Sequence, residues 1–239
     1  MLRKIIDDES GKKVDEEVMN AITIDCVVFG FNEGSLEVLL VKHATGISKN
    51  RWGLPGGWIK EKESINNAAK RLLKELTGLN NIYLEQLQAF GEPKRFPLGR
   101  VITIGYYALI KSDDYDIVAG FTAAEAKWFK ISEIPELIYD HSEIYNFSLR
   151  KLKRRVRQAP IGFNLLPEKF TLLDLMHLYE EILEFKMDKP NFRRKFLKMK
   201  LLIDTGEKQK NVSHRAAKLF KFDKEIYKKL TEKGFIFEF

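Results

Sequence analysis

The first half of the chain alternates apolar runs with short polar turns, which is the pattern of paired β-strands. Residues 21–31 and 36–43 are two such runs, and the turn sequence NEGS separates them. The apolar runs at residues 82–90, 101–111 and 124–129 predict further strands.

Two segments place apolar side chains at helical spacing instead. Residues 64–79 begin at Ser64, a good N-cap residue, and reach a stop signal at Gly78. Residues 140–158 have Asp140 as the expected N-cap and end in a strongly basic run. We interpret this basic helix as the connector between two domains.

The pattern changes after the connector to short helices and a compact hairpin. Residues 170–183 predict an amphipathic helix, and residues 188–202 predict a second helix after a short turn. Residues 201–222 predict a strand, a polar loop and a second strand. Helix, turn, helix and wing in this order predict a winged helix-turn-helix domain.

Composition limits the class of protein. A chain of 239 residues with 44% hydrophobic residues can build two packed domains. We expect no membrane span, since no stretch approaches about 20 apolar residues, and no signal peptide at the N-terminus. The single Cys26 lies in an apolar strand, so we expect a buried thiol and a cytoplasmic location. The four histidines show no zinc-ligand spacing.

The net charge of +7 is unevenly distributed along the chain. Residues 150–239 hold 23 Lys and Arg against 12 Asp and Glu, whereas residues 1–149 hold 18 against 22. This asymmetry predicts a polyanionic partner for the second domain only. The basic run that ends the connector could follow a phosphate backbone, or it could stabilise the C-terminus of its own helix.

Residues 54–79 resemble the Nudix box, G-x5-E-x7-R-E-U-x-E-E-x-G-U, in which U is an aliphatic residue. Leu72 and Leu76 stand where the family has metal-binding glutamates. Glutamates at those positions would share one helix face and suit Mg²⁺, but the single Glu75 between two leucines does not. The positions that match the pattern are Gly57, Glu63, Arg71, Leu73, Glu75, Gly78 and Leu79.

The resemblance to the Nudix box therefore implies a Nudix-like fold that has lost its metal site. We expect no catalytic residue, no bound metal, no cofactor and no enzymatic activity. Glu63 and Arg71 are expected to form the ion pair that braces the loop against the helix.

A wider resemblance covers most of the chain. The run YLEQLQAFGEPKRFPLGRVITIGYYALI, and later LLPEKFTLLDLMHLYEEIL, DKPNFRRK and SHRAAKLFKF, resemble the Nudix-related transcriptional regulators. That family joins a Nudix-like sensor to a winged helix. The resemblance implies an α+β protein, with a Nudix-like α/β/α sandwich at residues 1–150 that binds an effector and a winged-helix DNA-binding domain at residues 151–239.

The effector expectation comes from one loop. In this family the loop carries an R-D-P-R-type segment, and here Arg95, Phe96, Pro97 and Leu98 replace it. Loss of the acid and one base, together with the missing glutamates, favours a neutral sugar over a phosphorylated nucleotide. We therefore expect the sugar-utilisation branch, with L-arabinose as effector and carbohydrate metabolism as the regulated process.

The candidate effector-binding residues combine hydrogen-bonding groups with aromatic faces. Asp25 interrupts an apolar strand, so it faces either solvent or a pocket, and Lys42 could point into the same cleft or into solvent. The two aromatic candidates, Trp52 and Tyr106, could equally belong to the core. The candidates are Asp25, Lys42, Trp52, Glu92 and Tyr106.

The candidate DNA-binding residues lie on the second helix and the wing. Asparagine and arginine can bind base edges in the major groove, and lysines bind phosphates. Because one module binds a short site, we expect a homodimer on palindromic duplex DNA. Asn191, Arg193 and Arg194 are the candidates for base contacts, and Lys189, Lys195, Lys208, Lys210 and Arg215 are the candidates for phosphate contacts.

Other functions stay open. The protein could be an active Mg²⁺-dependent hydrolase of ADP-ribose-like nucleotides that uses Glu63 and Glu75 with Glu61 or Glu92. It could also be an ADP-ribose-responsive regulator of NAD metabolism. A basic tail could bind RNA, although the order of helices and wing favours duplex DNA.

Overall fold

The computed structural model describes residues 2–7, 13–18, 21–32, 34–210 and 215–239. Position 33 of the predicted turn lies outside these ranges, as do residues 211–214 of the predicted wing loop, the last of which is His214. An N-terminal hairpin pairs β1 (Leu2–Asp7) with β2 (Lys13–Val18) in antiparallel register.

A mixed sheet with one long helix on each face forms the first half of the molecule. The strand order is β5-β4-β3-β8-β7, with β6 also paired to β3 and β9 to β4. Only β3 and β8 run parallel among these pairs. The elements are β3 (Ile22–Asn32), β4 (Ser35–His43), β5 (Trp52–Gly53), β6 (Gly56–Trp58), α1 (Ile65–Thr77), β7 (Glu85–Phe90), β8 (Ile102–Leu109), β9 (Ala123–Lys130) and α2 (His141–Gln158).

The central strand β3 shows why the sheet needs a helix on both faces. Cys26 and Val28 belong to the apolar cluster on the α1 side, and Val27 and Phe29 belong to the cluster on the α2 side. By this alternation Asp25 lies on the α2 face of the sheet. Burial raises the pKa of the Cys26 thiol, and the neighbouring Asp25 adds to the effect.

One predicted strand begins later than expected. The apolar pattern predicted a strand from residue 82, but β7 begins at Glu85, which pairs with Tyr107. Ile82 and Leu84 instead pack into the apolar cluster on the α1 side. Their hydrophobicity reflects burial against a helix and not a place in the sheet.

The second half of the molecule is the predicted winged helix. The side chain of Thr171 forms a capping box with Asp174 at the start of the first helix, and Asp188 caps the second. The second helix ends before the predicted residue 202, because the chain turns at Lys200, whose φ is +55°. The elements are α3 (Leu172–Leu183), α4 (Lys189–Lys198), β10 (Leu202–Lys208), β11 (Lys218–Phe222) and α5 (Lys224–Glu232).

Helix α2 belongs to both halves. Leu152 and Val156 are fully buried in a cluster that includes residues of the sheet and of α3 and α4. Three of the six basic residues in the predicted run at 150–157 form ion pairs within the protein. Lys151 and Arg155 pair with Glu85 of β7, and Lys153 pairs with Glu184 at the end of α3. In the part of the chain that the structure describes, no helix is long and apolar enough to cross a membrane.

An aromatic cluster fills the winged helix. Phe196 is fully buried, and its ring centroid lies 5.3 Å from that of Tyr179 and 5.2 Å from that of Phe239. Phe192 is buried beside it, whereas the side chain of Leu197 is 37% exposed. The alternation of buried and exposed positions leaves one side of α4 free.

We predict that Phe196→Ala destabilises the protein by about 3–5 kcal/mol, because it removes a fully buried ring and leaves a cavity. The measurement is the free energy of unfolding in urea. The neighbouring Leu197→Ala is the matched control and should cost less than about 1 kcal/mol. Equal losses in the two variants would contradict this description of the core.

Candidate functional site

A cavity of about 550 Å³ opens on the α2 face of the sheet, where β3, β6, the loop that follows β7, and the start of α2 converge. Gly56 of β6 is essential to this convergence. A Cβ atom there would collide with the Asp25 carboxylate and with the backbone oxygen of Ile24. Only glycine allows β6 to approach β3 so closely.

A buried group of charges forms the floor of the cavity. Arg95 donates two hydrogen bonds of 2.7 Å to the carboxylate of Asp140, and its Nη2 lies 3.2 Å from Oδ2 of Asp25. The Arg95 side chain is only 4% exposed. Although burial opposes it, hydrogen bonding to Asp140 and the charge of Asp25 raise the pKa of Arg95. One fixed positive charge therefore faces two carboxylates.

His141, the first residue of α2, completes this floor as a neutral group. Its Nδ1 accepts a hydrogen bond of 2.9 Å from the backbone N–H of Leu54, so its proton lies on Nε2, 3.5 Å from Asp25. Burial lowers the pKa of His141 and outweighs the opposing charge of Asp25. The histidine faces Asp25 and adds no charge.

Two polar atoms in the cavity wall have no partner within the described residues. They are Oγ1 of Thr23 and Nε2 of His43, and both are shielded from solvent. Burial lowers the pKa of His43, and the nearby His141 lowers it further. Buried polar groups are normally hydrogen-bonded, so these two atoms mark places in the cavity wall where a polar partner is missing.

Aromatic side chains form the opposite wall. The rings of Trp58 and Phe96 meet edge to face at 6.2 Å, and those of Phe96 and Tyr139 at 5.1 Å. The hydroxyl of Tyr139 is hydrogen-bonded to that of Ser48 at 2.5 Å. The cavity thus combines an aromatic wall with a charged floor, as small-molecule sites commonly do.

The structure places only one of the predicted effector-binding residues in this cavity, namely Asp25. Lys42 forms an ion pair of 2.7 Å with Glu125, and Trp52 packs edge to face on Phe129. Tyr106 is buried in the α1-side cluster, where its hydroxyl bonds to Asn66 at 2.5 Å.

Glu92 is exposed at the start of the loop that follows β7, and it does not line the cavity. Sequence reasoning missed Arg95, Tyr139 and His141 as cavity residues. The only signal for Arg95 was its place in the R-D-P-R-type segment. Asp140 and His141 were interpreted only as the beginning of a helix.

A larger cavity of about 730 Å³ lies between the β3–β4 turn and α3. Three of its four acidic residues, Asp113, Asp114 and Glu168, are exposed to solvent, and the fourth, Asp174, is half-buried and takes part in the capping box of α3. The smaller cavity is the better candidate site because its charges are buried and two of its polar atoms lack partners.

The Nudix-like helix shows why the metal does not fit. Glu63 receives two hydrogen bonds from Arg71, at 2.6 and 2.9 Å, and Glu75 binds the same guanidinium at 2.9 Å. Leu72 and Leu76 are each only 3% exposed, and the Leu72 methyl groups lie over Gly57.

The metal face of α1 therefore offers Mg²⁺ two leucines and one carboxylate that already pairs with arginine. No group of three His, Cys, Asp or Glu side chains is placed to hold a metal ion among the residues the structure describes. These donors do not fit the cation that the fold family implies.

The free side of α4 is basic. Every predicted DNA-contacting residue on this helix is exposed, as are Lys208, Lys210 and Arg215 of the wing region. Arg194 donates a hydrogen bond to Asn191, and the Lys195 ammonium lies 5.0 Å from the centre of the Phe239 ring. The predicted residues on α4 are Lys189, Asn191, Arg193, Arg194 and Lys195.

Comparison with known proteins agrees with this architecture. A NUDIX domain model matches residues 19–149, and a model of the NrtR DNA-binding winged helix domain matches residues 162–222. The chain is similar to the ADPR responsive transcriptional repressor NtrR of Acinetobacter baylyi, with 29% identity over 210 residues. These aligned residues make up 86% of this chain and 83% of that protein.

Two solved structures of a Shewanella oneidensis protein are also similar. NrtR complexed with a 27mer DNA matches with a TM-score of 0.68 and 30% identity, over 84% of this chain and 93% of that one. The NUDIX domain of NrtR complexed with ADP ribose matches with a TM-score of 0.54 and 28% identity, over 57% of this chain and 90% of that one.

The sandwich and the winged helix together define a two-domain protein of the regulator type. This chain belongs to the Nudix family, and its second domain is a winged helix of the NrtR DNA-binding type. The expected arabinose-responsive, carbohydrate-metabolism branch is wrong, because the relatives are NrtR proteins named for ADP-ribose. The physical reason is that Phe96 and Leu98 replace two charges of the loop but leave Arg95 in the cavity.

We predict that the Glu63 carboxyl titrates near pH 2 in an NMR titration. Hydrogen bonds from Arg71 and from the backbone of Lys60 lower its pKa from 4.5 to about 2. Because the folded-state pKa is the lower one, this pair favours the folded state above about pH 4.5 and loses that effect as the pH falls towards 2. Arg71→Ala should move the titration up towards 4.5, whereas the exposed neighbour Lys70→Ala should not. Titration of wild-type Glu63 near 4.5 would refute the bracing role.

Proposed function

We propose that this protein is a transcription regulator that binds duplex DNA through its winged helix and responds to ADP-ribose held in the Asp25 cavity. The observation that carries the proposal is the structural match to a DNA-bound NrtR, which extends over 93% of the length of that NrtR chain. The match covers 84% of this chain and so includes residues of both domains. We take residues 1–150 as the sensor and residues 151–239 as the DNA-binding part.

The cavity chemistry supports a nucleotide effector. Its volume of about 550 Å³ is within the range of small-molecule sites. The Trp58 and Phe96 rings offer faces for an adenine base. Thr23 Oγ1 and His43 Nε2 lack partners among the described residues, and a small shift of the cavity wall would let them bond to ribose hydroxyls. Arg95 is the cationic group that a phosphate would bind.

We propose further that ADP-ribose is bound and not hydrolysed. Hydrolysis of a pyrophosphate in this family needs charge neutralisation on the phosphates, which a metal ion normally supplies. The leucines at positions 72 and 76 oppose metal binding on the face where it would be needed. A cleft that has kept its shape can still bind the nucleotide.

On the DNA side, we propose that the N-terminal half of α4 enters the major groove. Asn191, Arg193 and Arg194 would contact bases. Lys189, Lys195, Lys208, Lys210 and Arg215 would contact phosphates. We also propose a homodimer on a palindromic site, because one module of this size reads only a short sequence.

We predict that ADP-ribose at about 100 times its Kd stabilises the protein by about 2.7 kcal/mol in thermal unfolding, whereas L-arabinose has no effect. ADP-ribose should also change the Kd for a duplex selected from a random-sequence library. Trp58→Ala should weaken ADP-ribose binding about 5-fold or more through lost stacking, without changing ligand-free DNA affinity.

Tyr83→Ala is the matched control for this experiment, because Tyr83 is an exposed aromatic residue that does not line the cavity. It should leave the Kd for ADP-ribose unchanged. Absence of ADP-ribose binding would contradict the effector assignment. Turnover of ADP-ribose with Mg²⁺ above the level of Glu75→Ala would support the hydrolase alternative instead.

A second prediction concerns α4. Arg193→Ala should weaken binding to the selected duplex by about 1–3 kcal/mol and relax its sequence preference, as expected for a base contact. Lys130→Ala removes the same charge from an exposed site on β9 and is the control. Fluorescence anisotropy at several salt concentrations measures both. An Arg193 variant with wild-type affinity would place this residue outside the interface.

A further inference from the structure

The start of α2 differs from the start of the other α-helices. α1, α3, α4 and α5 each follow a Ser, Thr or Asp whose side chain accepts a backbone hydrogen bond from the first turn. Asp140 occupies the same position before α2, but within the described chain its side chain makes no capping bond. The preceding Tyr139 has φ of +51°, a conformation that tyrosine rarely adopts.

Contacts inside the cavity hold this unusual conformation. Both carboxylate oxygens of Asp140 accept hydrogen bonds from Arg95, and the Tyr139 hydroxyl is bonded to Ser48. Asp140 therefore has two competing uses. It can pair with Arg95, as here, or it can cap α2 by accepting the N–H of Glu143, which now bonds to the backbone oxygen of Asp140 at 2.9 Å.

A phosphate-bearing ligand would change the balance between these uses. The buried Arg95 carries one positive charge and already faces Asp25 and Asp140. A phosphate at the same guanidinium would add negative charge to a site that already has an excess of it, so a carboxylate must leave.

Asp140 is the carboxylate that can leave. Asp25 lies on the central strand β3, where His141 Nε2 also faces it. Asp140 lies at a helix terminus, where the Glu143 N–H can move from the backbone oxygen of Asp140 to its carboxylate and so replace Arg95 as a hydrogen-bond donor.

The other end of α2 is tied to the DNA-binding domain. Lys153 pairs at 2.6 Å with Glu184, the residue that ends α3, and the backbone N–H of Phe239 bonds to the backbone oxygen of Arg157. Leu152 and Val156 are buried against the same domain. A change in how α2 begins therefore reaches α3 through a continuous packed helix.

We propose that Asp140 is a two-position switch. In the ligand-free state it pairs with Arg95, and in the effector-bound state a ligand phosphate takes Arg95 while Asp140 caps α2. The strained turn at Tyr139 relaxes in the second state, and α2 shifts against the winged helix. This inference rests on the proposed function, since it uses the same effector.

The test uses the full-length protein with Asp140→Asn and Asp140→Ala. Both variants lose the ion pair between Asp140 and Arg95. Both should therefore bind ADP-ribose at least about 5-fold more tightly than wild type. Asparagine can still cap a helix and alanine cannot. Only Asp140→Asn should therefore show, without ligand, the DNA affinity that wild type shows when saturated with ADP-ribose.

Glu136→Gln is the matched control, because it removes a nearby carboxylate whose pair with Arg51 is exposed. This variant should keep the wild-type affinities for ADP-ribose and for DNA. The switch is refuted if Asp140→Asn retains wild-type DNA affinity and a full response to ADP-ribose, or if Asp140→Ala alters ligand-free DNA binding as Asp140→Asn does.

Failure of the proposed function has a different signature. If wild type does not bind ADP-ribose, the effector assignment fails, and the ligand-free DNA affinities of the two variants still test the switch. If a variant does not fold, amide hydrogen exchange of the wild-type protein tests the switch instead. ADP-ribose should slow exchange in the first turn of α2 more than in β3, and equal slowing of the two would overturn the switch.

Discussion

Burial of the apolar side of α2 is the interaction on which the rest of the molecule depends. Its side chains fill the space under the sheet, where Tyr145 meets Phe29, and also the space beside α3, where Leu152 and Val156 are fully buried. Most domains of one chain move relative to each other unless a large apolar interface joins them. Here a shared core joins the Nudix domain and the winged helix, so a change in how the Nudix domain packs on α2 must affect the winged helix.

The charged groups of the cavity gather at the end of α2 where this apolar packing stops. A buried arginine with two carboxylates is costly compared with apolar side chains of similar volume, and its presence is weak evidence for stability. It is better evidence for a binding role, because the unpartnered Thr23 and His43 atoms lie in the same cavity. The apolar packing and the buried charges thus involve different parts of one helix.

Local patterns allowed most of the fold to be predicted, and long-range contacts explain the failures. Strand alternation, the caps at Ser64, Thr171 and Asp188, and the spacing of Glu63 and Arg71 are all properties of short segments. The pairing of Arg95 with Asp140 joins positions 45 residues apart, which no periodicity reveals. The error over the effector had the same origin. Two lost charges in the loop suggested a neutral ligand, but Leu98 is exposed at the rim while the retained Arg95 lies inside.

The leucines at positions 72 and 76 have a consequence for any redesign of this helix face. In an active hydrolase of this family, like-charged glutamates crowd one helix face and are tolerated because a cation binds there. Leucines at these positions replace that repulsion with core packing. A glutamate introduced at either position alone would bury a carboxylate without a complete metal site and would destabilise the protein. The two positions are therefore coupled: a metal site could be built here only by changing both leucines together.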